Sequence, residues 1–422
     1  MSGPSTAGTG DGVGMEDRVE QWRHDTPGCA HRNHLNNAGS ALPPRVVLDA
    51  TVEHLQLEAE IGGYEAADAA ADRVQAVYGS IAALIGAQPR NVAVVGNGTA
   101  GFIQALTSFD LERGDVIVTS RSDYTSNQIQ YLALAQRLGV RIVHAAELPE
   151  GGIDPASVRE ALRTLPVRLV AVSWIPTHSG LVQDVADVGE VCEEFGVPFI
   201  VDAVQAAGQI PVDVAALRCD YLVGTARKFL RGPRGIGFLY ASDRAMARGD
   251  YPLFVDMRGA RWTGPAAFQV DATAKRYEDW EFPYALVLGM GAAVEYALRQ
   301  DIARSGARAI ALGARLRTGL EAVHGVQVLD RGANPCAIVT AAVEGWTGRE
   351  IMAALAAERI NAVATLREFA IHDFGPRGVE SAVRLSPHYY NTTAEVDAAI
   401  DVIRQFAPRV AGGAASNPGG RG

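Results

Sequence analysis

Lysine is almost missing from this 422-residue chain: of 38 Lys and Arg side chains, only Lys228 and Lys275 are lysine. Arginine supplies permanent charge but cannot give up a proton to act as an amine nucleophile or base, so a retained lysine is a place to look for amine chemistry. An ordinary surface lysine is the competing reading, and the residue alone leaves the two even. Cysteine is scarce as well. Cys29, Cys192, Cys219 and Cys336 are scattered with no C-x-x-C pair. That argues against a disulfide framework or zinc knuckle, predicts no metal site, and fits a reducing cytoplasm. The net charge is -10 and no block of basic residues occurs, so nucleic acid is not expected as a partner. No apolar run approaches a membrane span. The opening MSGPSTAGTGDGVG lacks the basic and apolar regions of a signal peptide.

What is present is a chain with 48% hydrophobic and 20% charged residues, suited to two or three globular units. Residues 1–14 and 411–422 are small, polar and Gly/Pro-rich, and read as tails without fixed structure. Between them NVAVV (91–95), DVIVTS (115–120), VRIVHA (140–145), VRLVAVS (167–173), VPFIVD (197–202) and DYLVGT (220–225) read as short buried strands separated by helical stretches. Alternating β and α with near-continuous apolar strands predicts an α/β fold, a mostly parallel sheet covered on both faces. Ahead of it, AADAAADRVQAVYGSIAALIGA reads as one amphipathic helix. Beyond residue 282 the pattern changes: helices over 283–302 and 304–323, strands near 336–344, 359–365 and 381–386, and a last helix over 393–407. The expected organisation is an N-terminal arm (15–45), a large domain (46–282) and a smaller α+β domain (283–410).

VVGNGTAGF matches G-x-G-x-x-G at Gly96, Gly98 and Gly101, after a strand and before a helix, with Asp123 some twenty positions on. That context fits a dinucleotide fingerprint. It fits equally a single phosphate held at the helix start with the Thr99 hydroxyl, or a plain tight turn. The rest of the sheet bears on the choice. Asp202 ends the strand FIVD, where open parallel sheets bind ligands, and Gln205 follows three residues later. The next strand ends in Thr225 and runs on to Lys228. A phosphate cradle, a carboxylate, an amide and an amine converging at one edge suit pyridoxal 5'-phosphate. A nicotinamide dehydrogenase using the 96–101 turn would leave Lys228 and Asp202 without a task.

On VDAVQAAGQIPVDV and RKFLRGPRGIGFLY, with flanks from LNNAGSALPP (35–44) to VRLSPHYYNTTAEVD (383–397), the chain resembles the class V aminotransferase family. These are fold type I pyridoxal-phosphate enzymes that include cysteine desulfurases, isopenicillin N epimerase-like proteins and the ergothioneine-type C–S lyase. The resemblance implies a seven-stranded, mostly parallel sheet, a homodimer and a small amino-acid substrate. It also implies roles. Lys228 forms the Schiff base, Asp202 pairs with the ring nitrogen, and Gln205 contacts O3'. Gly98, Thr99, Ala100 and Thr225 hold phosphate, and Tyr124 takes the ring-stacking place that many relatives give to histidine. Thr177 lies at the cofactor edge. Arg384, Asn37 and His178 face the substrate, with His178 equally at home as a supporting residue. Trp280 stands where many desulfurases carry a Gly-Thr pair that reaches the partner's phosphate, so Arg261 or Thr263 is the substitute. Desulfurases need a mobile cysteine before the carboxylate-binding arginine, and residues 361–386 contain none. A β-eliminating C–S lyase on an S-substituted cysteine or its sulfoxide, in ergothioneine-like or other natural-product biosynthesis, is therefore the favoured expectation. An aminotransferase or epimerase on a bulky amino acid is the alternative.

Overall fold

The computed structural model describes residues 14–406, so the two expected tails lie outside the described residues except for Gly14. Its central element is a seven-stranded sheet. The strands, in chain order, are β1 (Val92–Val95), β2 (Val116–Thr119), β3 (Arg141–His144), β4 (Val167–Ser173), β5 (Phe199–Asp202), β6 (Tyr221–Thr225) and β7 (Gly237–Ala241). They lie in the order β1-β7-β6-β5-β4-β2-β3, and β7 alone runs against the rest. Side chains of β1, β2, β5 and β6 are buried throughout, which is why their sequences are mostly apolar runs. One apolar core fills each face of the sheet.

The seventh strand begins within the RKFLRGPRGIGFLY motif. GFLYA forms β7, wedged between β1 and β6, and the turn before it carries Lys228. The expected single helix over 66–87 differs. It breaks at Ala70 into Gly63–Ala69 and Ala71–Ile85. The chain enters the first of these from the helix Arg45–Ile61 through Gly62, whose φ of 100° favours glycine. A hairpin of β8 (Ala260–Gly264) and β9 (Ala267–Val270) stands apart from the main sheet.

After the helices Tyr284–Arg299 and Ile302–Glu321 comes a second, antiparallel sheet. Its strands are β10 (Val326–Val328), β11 (Val339–Val343), β12 (Val363–Leu366) and β13 (Ser381–Leu385), ordered β10-β11-β13-β12 around a separate core. The N-terminal segment ties to this sheet: Asn33–His34 pairs with Ile360–Asn361, and Asn36 bridges Ser386. That brings Arg384 of β13 to the carboxyl ends of the large sheet's strands.

Candidate active site

Three parallel strands end side by side. Ser173 closes β4 in register with Asp202 on β5, and β6 ends at Thr225. The crevice outside such ends is where open α/β sheets hold ligands. It is a cavity of about 250 Å³ lined by Gly98, Thr99, Tyr124, Asn127, Asp202, Val204, Thr225, Lys228 and the guanidinium groups of Arg227 and Arg234. The helix Gly98–Leu106 points its N-terminus into this space. A helix start and two arginines on the cavity wall favour an anion, and Asp202 on the same wall favours a cation.

Lys228 is 5% exposed. Burial lowers its ammonium to about 7, with Arg227 and Arg384 pushing the same way against the opposing pull of Asp202. The amine therefore holds a neutral population near neutral pH. Its Nζ stands 5.9 Å from the centre of the Tyr124 ring. The turn that carries it is pinned three residues on. Arg231 takes a left-handed φ of 62°, is buried, donates to Leu42 O (2.9 Å) and Tyr389 Oη (2.7 Å), and bonds Thr26 Oγ1. Such strain persists only where surrounding contacts fix it.

Asp202 Oδ1 accepts from the Val204 N–H (3.0 Å), and Oδ2 accepts from Asn127 Nδ2 (3.0 Å). Gln205 Nε2 donates to Ala38 O and to Thr177 Oγ1, both at 3.1 Å. Arg384 Nη1 donates to the same Thr177 hydroxyl (2.8 Å), so Thr177 joins the amide to the guanidinium. The Nη2 of Arg384 makes one long contact with Asn36 Oδ1 (3.4 Å), and its Nε has no partner. The Nε–Nη2 edge of the fork thus keeps donor capacity that a carboxylate could use.

The sequence-derived positions divide. Lys228, Asp202, Gly98, Thr99, Tyr124 and Thr225 share the cavity wall, and Gln205, Thr177 and Arg384 form a chain of polar contacts through the Thr177 hydroxyl. Ala100 does not offer its amide to the cavity; it donates to the Asn97 cap (2.9 Å). Asn37 is consumed internally, donating to Ser386 O (2.7 Å) and accepting from Tyr390 Oη (2.5 Å). His178 turns away from the cavity, 3.3 Å from Asp373 and edge-on to Phe374. Arg261 sits on the exposed hairpin bonded to Gln269, with Thr263 beside it, and Trp280 is half exposed; none of the three lines the Lys228 cavity of this chain. The first glycine of the fingerprint, Gly96, has open space around it. A Cβ on Gly98 would meet Val204 at 2.4 Å, forcing a shift, and one on Gly101 would meet Val95 at a tight 3.2 Å. Asn127, Arg227, Arg234 and Asn36 were not legible from the sequence. A polar residue in the first turn of a helix, at a parallel strand's end, was the available signal for Asn127.

A family model described as Aminotransferase class-V matches residues 33–399. The chain belongs to the class V aminotransferase family. A protein of Methanothermobacter thermautotrophicus named "Probable cysteine desulfurase" is 24% identical, over 92% of this chain and 98% of that one. A "Probable hercynylcysteine sulfoxide lyase" of Mycobacterium tuberculosis is 29% identical, over 91% and 92%. The fold matches the apo cysteine desulfurase of Thermococcus onnurineus with a TM-score of 0.83 at 22% identity, covering 92% of this chain and 97% of that one.

Membership makes this a pyridoxal 5'-phosphate enzyme, and the residues fit that group. Gly98, Thr99, Thr225 and the helix start suit its phosphate, Lys228 its aldehyde and Asp202 its ring nitrogen. Three buried polar atoms around the site lack partners: Asn127 Oδ1, Gln205 Oε1 and Arg384 Nε. Such atoms are costly to leave unpaired in a folded chain, and a polar cofactor and substrate would supply partners.

Proposed function

We propose that this chain is a β-eliminating C–S lyase acting on an S-substituted cysteine or its sulfoxide. The observation that carries the reading is an amine base without a protein thiol beside it. Residues 361–386 fold onto the start of the helix Thr125–Leu138, where Thr125 Oγ1 donates to Phe369 O (2.9 Å), and they carry no cysteine. Cys336 is buried elsewhere, and burial pushes its thiol up to about 12. A persulfide route needs an accessible thiolate.

Arg384 takes the substrate α-carboxylate on its open Nε–Nη2 edge. Asp202 holds a positive charge at the ring nitrogen. The bound cofactor supplies the electron sink for the Cα electrons. Lys228 Nζ, neutral in part near pH 7, removes the Cα proton. The Cβ–S bond then breaks with its electron pair leaving on sulfur, and water completes conversion of the remaining fragment to pyruvate and ammonia. Thr177 couples the carboxylate site to Gln205, so substrate binding and cofactor seating share one hydroxyl.

The test is an S-aryl cysteine sulfoxide given to the holoenzyme without any 2-oxo acid. Equal amounts of pyruvate, ammonia and sulfur fragment are expected over many turnovers. Strict dependence on a 2-oxo acid would make it an aminotransferase, and recovery of the opposite enantiomer an epimerase. A homodimer belongs to the same proposal. Phe254 and Trp262, 83% and 80% exposed, stand with Leu253, Met257 and Phe268 on one stretch around the β8–β9 hairpin, and apolar exposure of that extent marks an interaction surface. Light scattering should give twice the chain mass, and a fully active monomer would contradict the dimer.

A further inference from the structure

A second carboxylate stands behind Asp202. Asp123, four residues past β2, is 4% exposed and does not line the cavity. It is nonetheless joined to Asp202 through two shared donors. Asn127 Nδ2 donates to Asp123 Oδ1 (3.2 Å) and to Asp202 Oδ2 (3.0 Å). The Ser173 hydroxyl bonds Asp123 Oδ1 and approaches Asp202 Oδ2 at 3.4 Å. The remaining lone pairs of Asp123 are filled by Thr119 Oγ1 (3.0 Å), Tyr131 Oη (3.1 Å) and the Tyr124 N–H (2.7 Å). These donors come from the ends of β2 and β4 and from the helix Thr125–Leu138, so every element around the carboxylate contributes to holding it. The only titratable groups among its contacts are Tyr131 and, through the bridges, Asp202.

Five donors satisfy the buried Asp123 carboxylate, and two of them are shared with Asp202. Burying an acid beside another acid is costly, and burial with the Asp202 charge pushes Asp123 up to about 6. A cation placed against Asp202 relieves that repulsion. We propose that Asp123 is a positioning residue for the reaction: through Ser173 and Asn127 it fixes the Asp202 carboxylate, and its charge strengthens the hold of Asp202 on the protonated ring nitrogen. The inference rests on the role given to Asp202 above.

The experiment is a double-mutant cycle of Asp123→Asn and Asp202→Asn on the full chain, with cofactor affinity measured by titrating the apoprotein. Asp123→Asn should lower kcat about tenfold, the size of effect that outer-shell partners have on the group they orient. It should leave substrate KM within about twofold and weaken cofactor binding severalfold, and it should cost nothing further in the Asp202→Asn background. Ser173→Ala, which keeps both carboxylates and removes one bridge, should show the same dependence on Asp202 and serves if Asp123→Asn does not fold. Equal losses from Asp123→Asn, or from Ser173→Ala, in both backgrounds would overturn the inference and leave the reading of Asp202 intact. An Asp202→Asn variant with near-normal turnover would overturn both.

Discussion

The two lysines of this chain sit about fifty residues apart in sequence and in opposite circumstances. Lys228 lies in a sheet-end cavity, buried, pressed by two guanidinium groups and driven to about 7. Lys275 lies in a short turn, Ala274–Tyr277, half buried, with its Nζ 5.3 Å above the Tyr78 ring. Each ammonium stands near an aromatic face, so proximity to a ring does not distinguish them. What does is burial first: Lys228 is buried at a cavity wall, with Arg227 and Arg384 adding like charge against the pull of Asp202, whereas Lys275 is only half buried. A lysine becomes an amine reagent through desolvation and like charge, not through its identity.

The strongest way to break this comparison is to exchange the two residues' fates. Lys228→Ala should purify without the visible band of lysine-bound cofactor and lose at least about 10³-fold in turnover, while Lys275→Ala keeps both. A colourless Lys275→Ala would move the site. Next in size is Asp202→Asn, which should retain cofactor but slow turnover roughly 100-fold if Asp202 supplies the charge at the ring nitrogen as proposed. Absorbance and steady-state rates on the same sample separate binding from catalysis. If Arg384 takes the substrate carboxylate as proposed, Arg384→Ala should raise substrate KM by about 100-fold with cofactor affinity little changed. Lost colour at unchanged KM would make it a structural arginine.

A pH experiment sharpens the lysine contrast without mutation of the site. The folded amine at position 228 titrates at about 7 instead of 10.5, so its neutral, nucleophilic fraction grows as pH rises through 7 and is nearly complete by pH 9. Reaction of the apoprotein with a small aldehyde, read by mass spectrometry at each lysine, should climb through pH 7 at Lys228. A midpoint near 10 would mean that the cavity does not desolvate it. The smallest effect belongs to Cys336→Ser. Turnover should stay within about twofold, while stability falls by about 1–2 kcal/mol as a buried thiol is replaced by a hydroxyl. Lost activity in a folded variant would restore a thiol route.

The strands of the large sheet were legible because burial on both faces demands unbroken apolar runs, and the runs at 91–95, 115–120 and 220–225 say so directly. GFLYA was harder. It is wedged between β1 and β6, two strands that are themselves over a hundred residues apart in sequence. The break at Ala70 left no mark in an alanine-rich run that favours helix on both sides. At the site, Asp202 and Lys228 stood out because a carboxylate at a strand end and a lone lysine are chemically exceptional. Asp123 was noted only for its spacing after the glycine fingerprint, because its five donors lie on segments from residue 119 to 173.

Composition and local pattern by themselves determined the alternation of strands and helices, the lone candidate amine, the strand-end carboxylate and the lack of any cysteine in residues 361–386. Those are properties of single residues and short runs. Only the tertiary structure decided which polar groups meet. Thr177 joining Gln205 to Arg384, Asn127 and Ser173 linking two buried acids, Asn37 consumed by Tyr390 and Ser386, and His178 turned toward Asp373 are all contacts between distant segments. A hydrogen bond has a reach of about 3 Å and a direction, and neither is encoded until the chain has closed on itself.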